Sequence, residues 1–331
     1  MKDHPRQYAT AAAFRVALET RLRSLAAAEG ADLQRLRRQV SFDRLLARFF
    51  KRRNAPWLLK GGYAMELRLQ TARTTKDIDI SLPADAAAGF GGEILIELQR
   101  SARTDLDDFF EFTIAEPQMN LDAAPQGGAR YPVTTTLAGR VFTRFQLDIG
   151  IGDAVVPPTE LIEGRDWLRF AGIAPGQFMA ISKEQQFAEK LHAYTLPRPD
   201  APNSRVKDLV DMILLIQMAT MDGAILNLAI QTTFELRGTH SFPSVLPRPP
   251  ESLTLPFDAI ATLSCQKGQS RTVENSSTLL LEKVPAERER IRRRLLIGRI
   301  NLKKRHRRVV LLFLFCQAGR WPAPTYCNQR R

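Results

Sequence analysis

One stretch limits what this chain can fold into more than any other: Lys60-Gly61-Gly62-Tyr63-Ala64-Met65-Glu66-Leu67-Arg68, followed by Thr75-Lys76-Asp77-Ile78-Asp79-Ile80. A strand-like Trp57-Leu58-Leu59 meets a glycine pair, the glycines open a helical run, and an alternating strand returns. Glycines at a strand-to-helix junction let backbone N–H groups come close to a phosphate at the helix N-terminus. In the returning strand, side chains at i and i+2 share a face. Asp77 and Asp79 therefore project together, while Ile78 and Ile80 turn into a core. Two carboxylates held this close are costly unless a positive group sits between them. Mg2+ fits, because it takes one or two protein carboxylates plus phosphate oxygens. The pattern points to nucleotidyl transfer. Taken singly, an Asp-x-Asp is equally a surface pair, and a glycine pair is equally a plain turn; the order of the segments carries the reading.

The net charge of +13 suggests a nucleic-acid binder until it is located along the chain. Residues 263–331 hold 17 Lys+Arg and four Glu, leaving 31 basic and 31 acidic residues in 1–262. All three cysteines (Cys265, Cys316 and Cys327) fall in that last segment, and every aspartate lies before it. No CxxC occurs, so neither a disulfide framework nor a zinc site is expected. The polar start, Met1 to Gln7, lacks the apolar region of a signal peptide, and no apolar run approaches the ~20 residues that span a bilayer. The chain reads as cytoplasmic, with no membrane partner.

The pattern divides the chain into four parts: N-terminal helices over 1–55, an α/β core over 56–155, a helical domain over 156–262 and the basic tail over 263–331. Thr10 is a suitable N-cap for a helix over Ala11–Ala28. A second helix runs from about Leu33 to Arg52, with Phe42, Leu45, Leu46 and Phe49 at core spacing. The Arg and Lys residues between them read as a solvated face. Glu93–Thr104 reads as a helix, with Ile94, Leu95, Leu98 and Ala102 on its apolar face. Phe109–Ile114, Tyr131–Leu137 and Val141–Gly150 read as strands, with a Gly127-Gly128 turn before the second. Val156–Pro175 reads as a connector rich in proline and glycine. Helices are expected over Lys183–Leu196, Val206–Met218 and about Gly223–Leu236, and an irregular strap over Phe242–Pro256. The fold class is α+β, with α and β mixed in the core.

Asp148, in Phe145-Gln146-Leu147-Asp148-Ile149, lies on a strand about seventy residues after the Asp pair. It reads either as the third carboxylate of a metal site, helping to deprotonate an attacking hydroxyl, or as an exposed strand-end residue. Asp153 reads as a turn residue. Lys190 shares a helix face with Phe187, Leu191 and Tyr194, so it either snorkels outward or meets an anion such as a triphosphate. His192, off that face, reads as an ordinary polar residue. Asp208 and Asp211 share a helix flank. A Lys207–Asp211 surface pair is the simplest account of the latter, and a structural or base-contacting role the preferred one.

Taken together, Leu59-Lys60-Gly61-Gly62-Tyr63-Ala64-Met65-Glu66-Leu67-Arg68-Leu69, Arg73-Thr74-Thr75-Lys76-Asp77-Ile78-Asp79, Gln186–Tyr194 and Ser204–Asp211 resemble the AbiEii/AbiGii nucleotidyltransferase toxin family. Arg237-Gly238-Thr239-His240 fits a later segment of that family. The resemblance covers about residues 5–262. It implies a DNA polymerase β-like minimal nucleotidyltransferase core with a helical C-terminal domain, in a toxin of toxin–antitoxin or phage-defence systems. It also implies Mg2+, an NTP substrate, an RNA acceptor (the 3′ end of tRNA for some relatives) and a cognate antitoxin. By motif, Lys60, Gly61 and Gly62 line the triphosphate and Asp77 and Asp79 bind Mg2+; Lys190 matches the third motif and Asp211 the fourth. Asp148 as a third metal ligand rests on spacing. The same core serves a small-molecule nucleotidyltransferase, or a degenerate member that only binds nucleotide, RNA or antitoxin.

From about Leu263 no family feature is expected. Arg288–Arg294 and Lys303–Arg308 suit an added RNA-binding arm. The abrupt change of composition and the missing aspartates instead favour a shift of reading frame near residue 262.

Overall fold

The computed structural model describes residues 8–52, 54–69, 75–121, 124–198 and 203–243. The expected basic tail, and the strap from residue 244 onward, lie outside the described residues. The chain divides into two compact units between Ser182 and Lys183.

Two helices begin the first unit. Thr10 caps α1 (Ala11–Glu29) by accepting the Ala13 N–H, and Gly30 ends it in the left-handed conformation. Asp32 caps α2 (Leu33–Phe49) in the same way, accepting from the Arg35 N–H at 2.7 Å. Phe42, Leu45, Leu46 and Phe49 are buried, as their spacing predicts. The basic residues between them depart from the expected solvated face. Arg44 and Arg48 are buried against Asp108, with Arg48 Nη2 2.6 Å from Oδ1 and Arg44 Nε 2.6 Å from Oδ2. Burial pushes the Asp108 carboxyl up, but the hydrogen bonds and charges of Arg48 and Arg44 outweigh it and hold the group below its ordinary value. The local pattern could not show this, because the partner lies sixty or more residues away.

The sheet forms around the glycine-rich unit. The junction is β1 (Leu58–Lys60) running directly into α3 (Gly61–Leu69), and the chain returns in β2 (Asp77–Leu82). Two further helices follow, α4 (Ala84–Gly89) and α5 (Ile94–Ala102), and then β3 (Phe110–Ile114), β4 (Met119–Asn120), β5 (Gly128–Leu137) and β6 (Arg140–Ile151). Val156–Pro175 is more than a connector: it contains β7 (Glu160–Glu163) and a 3-10 turn at Arg169–Ala171, and β8 (Gln177–Ala180) follows. A strand of four residues gives little periodicity; β7 is recognisable only through its antiparallel pairing with β8. The strand order is β3-β5-β6-β2-β1-β8-β7, with β4 pairing to β5. β2 runs parallel to β6 and antiparallel to β1. Ile78, Ile80, Leu147, Ile149, Tyr131 and Val133 fill the core side, where Phe42 packs edge-on against Phe145 and Tyr63.

A buried polar cluster ties α2, α3 and the β7–β8 segment together. Asp43 accepts from Tyr63 Oη at 2.6 Å, Trp167 Nε1 at 2.7 Å and the Arg165 N–H at 2.9 Å. Burial raises its carboxyl from 3.8 to about 6 despite these bonds.

The second unit holds α6 (Lys183–Thr195), α7 (Val206–Met218) and α8 (Gly223–Arg237). Its apolar side includes Phe187, Leu191, Tyr194, Val210, Leu215 and Phe234. His192, expected to be an ordinary polar residue, is buried, with Nε2 2.9 Å from Thr239 Oγ1 and its ring tilted at 48° to that of His240. Among the described residues no helix is long and apolar enough to cross a membrane.

Candidate functional site

The alternation in β2 places Asp77 and Asp79 half-exposed on one face, with Ile78 and Ile80 buried on the other. Strand register extends that face sideways. Asp79 has Lys60 of β1 and Asp148 of β6 as its Cα partners, and Asp148 has Arg130 of β5. One row of the sheet therefore reads Lys60, Asp79, Asp148, Arg130. Asp77 lies one pair further along, opposite Gln146.

Gly61 is required for this arrangement. Its φ is +65°, and a Cβ at that position would lie 1.9 Å from Asp79 Oδ2. Glycine alone lets the helix start this close to the carboxylate. The next amide, Gly62 N–H, points at Asp79 Oδ2 across 3.4 Å. Negative charge is favourable at that end of a helix. Thr75 Oγ1 donates to Asp77 Oδ1 at 2.7 Å and orients it.

Two basic residues flank the carboxylates. Lys60 forms an ion pair with Asp153, which is buried and holds a charge rather than simply shaping a turn. Arg130 grips Asp148 in a fork, Nε to Oδ1 at 2.7 Å and Nη2 to Oδ2 at 2.6 Å, and its Nη2 lies 4.0 Å from Asp77 Oδ2. The hydrogen bond to Asp148 raises the Arg130 pKa, burial opposes this, and the charges of Asp148, Asp77 and Asp79 add to the rise. Nothing in the local sequence singles out Arg130. Its signal is positional: a charged residue beside Tyr131 in an alternating strand, on the face away from the core.

Among the described residues, no three His, Cys, Asp or Glu side chains converge as a metal-binding group. The co-facial pair of Asp77 and Asp79 does match Mg2+, which is commonly held by two carboxylates plus substrate phosphate and water. On the same face, buried Ser81 Oγ and Gln146 Oε1 have no hydrogen-bond partner among the described residues. Ser81 and Gln146 fall on this face by the same alternation, so the polar groups on it exceed what the protein itself satisfies.

The remaining sequence-selected residues, Lys190 and Asp211, come together in the second unit. Lys190 Nζ lies 2.7 Å from Asp211 Oδ2 and 3.3 Å from Asp208 Oδ1. The surface pair between Lys207 and Asp211 gives way to this one, because Asp211 faces α6 and is fully buried.

A family model described as the nucleotidyl transferase AbiEii toxin of a type IV toxin–antitoxin system matches residues 44–296. The match begins later than the expected residue 5. It also runs past Leu263 through the Arg288–Arg294 run, so the family resemblance does not stop at residue 262 as expected. No curated protein matches the chain. Among solved structures, MenT4, a nucleotidyltransferase toxin from Mycobacterium tuberculosis, is 17% identical over 73% of this chain and 88% of its own, with a TM-score of 0.48. JHP933 from Helicobacter pylori is 14% identical over 78% of this chain and 98% of its own, with a TM-score of 0.37. The antibiotic-resistance factor ANT(2'')-Ia is 18% identical over 59% and 89%, with a TM-score of 0.31.

Proposed function

Starting from the chain's membership of the AbiEii nucleotidyltransferase toxin family, to which it belongs, we propose that it transfers a nucleoside monophosphate from an NTP to an RNA hydroxyl, at the 3′ end of tRNA. In this reaction the hydroxyl oxygen bonds to the α-phosphorus in line with the departing pyrophosphate, and the hydroxyl proton is released. The observation that carries the reading is Asp79, on one strand face with Asp77, set against the Gly61–Gly62 helix start.

The candidate residues divide the work of this scheme. Asp77 and Asp79 hold Mg2+, which when bound supplies Lewis-acid stabilisation of charge on the phosphates. The glycine pair removes side chains from the path of the triphosphate, and the first-turn N–H groups of α3 face it. Lys60, directly across from Asp79 and ion-paired with Asp153, stands at the edge of the row as a donor toward the triphosphate. Lys190 and Asp211 are proposed as the third- and fourth-motif residues. A cognate antitoxin is the proposed protein partner.

The test is incubation of the purified protein with each labelled NTP, Mg2+ and bulk tRNA, beside Asp79→Ala. Label on the tRNA 3′ end from the wild type and none from the variant is expected. Equal label from both, or none with any NTP, refutes RNA transfer.

A further inference from the structure

The charged row on the sheet contains a group that the two-carboxylate scheme leaves unused. Asp148 spends both carboxylate oxygens on Arg130, and the fork sets the plane of the guanidinium. Arg130 keeps its remaining terminal nitrogen, Nη1, without a hydrogen bond in the described chain, and its side chain is 32% exposed beside Asp77. An arginine in this position is a fixed cation that keeps two N–H bonds on Nη1, while its Nη2 lies 4.0 Å from Asp77 Oδ2.

We infer that Asp148 is a positioning residue rather than a metal ligand: it holds Arg130 so that Nη1 donates to a phosphate oxygen of the nucleotide carried by Asp77 and Asp79. This inference rests on the nucleotidyltransferase reading of the same site. Three observations lead to it. The Asp77/Asp79 pair alone meets the carboxylate count that Mg2+ commonly takes. Both Asp148 oxygens are already engaged in charge-assisted bonds to one guanidinium, which draws charge away from a metal. Arg130 remains protonated under any working condition, and its planar fork suits a carboxylate on one edge and a phosphate on the other. Four strands contribute to the arrangement. β5 supplies the arginine, β6 its anchor, β2 the metal pair and β1 the lysine at the far end of the row.

The experiment uses the full chain, with Mn2+ titrated alone and then four α,β-methylene NTP analogues in the presence of Mn2+, both followed by calorimetry. The key variant is the charge-neutral pair Arg130→Gln/Asp148→Asn, compared with Arg130→Gln alone. For the pair, Mn2+ affinity should stay within about threefold of wild type, while affinity for the preferred analogue falls about tenfold or more. Adding Asp148→Asn to Arg130→Gln should cost nothing further, since Asp148 acts only through the arginine. A tenfold loss of Mn2+ affinity in the pair would make Asp148 a metal ligand and overturn the inference. Analogue affinity within threefold of wild type would overturn it as well. If the pair fails to fold, Arg130→Lys keeps the charge without the fork and must still show the analogue loss. A wild-type protein that binds Mn2+ and analogue no better than Asp79→Asn refutes the underlying site itself, an outcome distinct from either of these.

Discussion

Replacing Gly61 with alanine tests the junction most directly, because the structure supplies both terms of its cost. The φ of +65° places any L residue in the left-handed region, at about 1–2 kcal/mol. The new methyl would lie 1.9 Å from Asp79 Oδ2, 2.4 Å from Cγ and 2.7 Å from Cβ, so Asp79 must swing out of its rotamer. An off-rotamer side chain costs about 0.5–1.5 kcal/mol. The sum, about 1.5–3.5 kcal/mol, corresponds to a fall in Tm of about 3–14 °C for a domain of this size. The larger consequence is functional: Asp79 leaves the face it shares with Asp77, so Mn2+ affinity and nucleotide transfer should both fall at least tenfold. Thermal melts and Mn2+ titrations of Gly61→Ala, Asp79→Gly and the double variant separate the two terms. In the Asp79→Gly background the alanine should cost only its backbone share. A cost below about 0.5 kcal/mol in wild type, or the same cost in both backgrounds, would refute the close-approach argument.

Three further outcomes follow from buried charge. Asp43, raised by burial from 3.8 to about 6, favours its neutral form in the fold. Its contribution, about 3 kcal/mol, is present below pH 3.8 and lost as pH rises through about 6; Asp43→Asn should flatten that part of a stability–pH profile measured by urea melts. Asp108 has the opposite sign: its lowered carboxyl adds stability above the unfolded value that disappears as pH falls through the folded one. Asp108→Asn, which leaves Arg44 and Arg48 buried without their anion, should cost about 3–5 kcal/mol in the same melts. Lys190→Met removes the cation 2.7 Å from buried Asp211 and should destabilise by a similar amount, about 3–5 kcal/mol; Lys190→Met/Asp211→Leu should recover most of it while remaining inactive in transfer assays.

Much of the architecture was legible from local pattern. Apolar spacing located α2 and α5, and the Thr10 cap marked the start of α1 to the residue, because periodicity and capping act within a turn or two of chain. The two-residue period of β2 put Asp77 and Asp79 on one face for the same reason. What the pattern could not supply was the partner of each charge. Arg44 and Arg48 look solvated until Asp108 is brought to them, Asp153 looks like a turn until Lys60 reaches it, and Lys207 seems the natural mate of Asp211 until Lys190 takes that place. β7 was invisible for a related reason: so short a strand is defined by its neighbour in the sheet.

That a glycine junction precedes two co-facial carboxylates follows from the order of residues, since both facts depend only on the backbone geometry of neighbours. Tertiary structure alone decided that Asp148 stands in register with Asp79 and is held by Arg130. That pairing depends on the parallel docking of β2 on β6 and the antiparallel docking of β5, contacts between segments up to seventy residues apart. A shift of one residue in either register would turn Asp148 or Arg130 into the core.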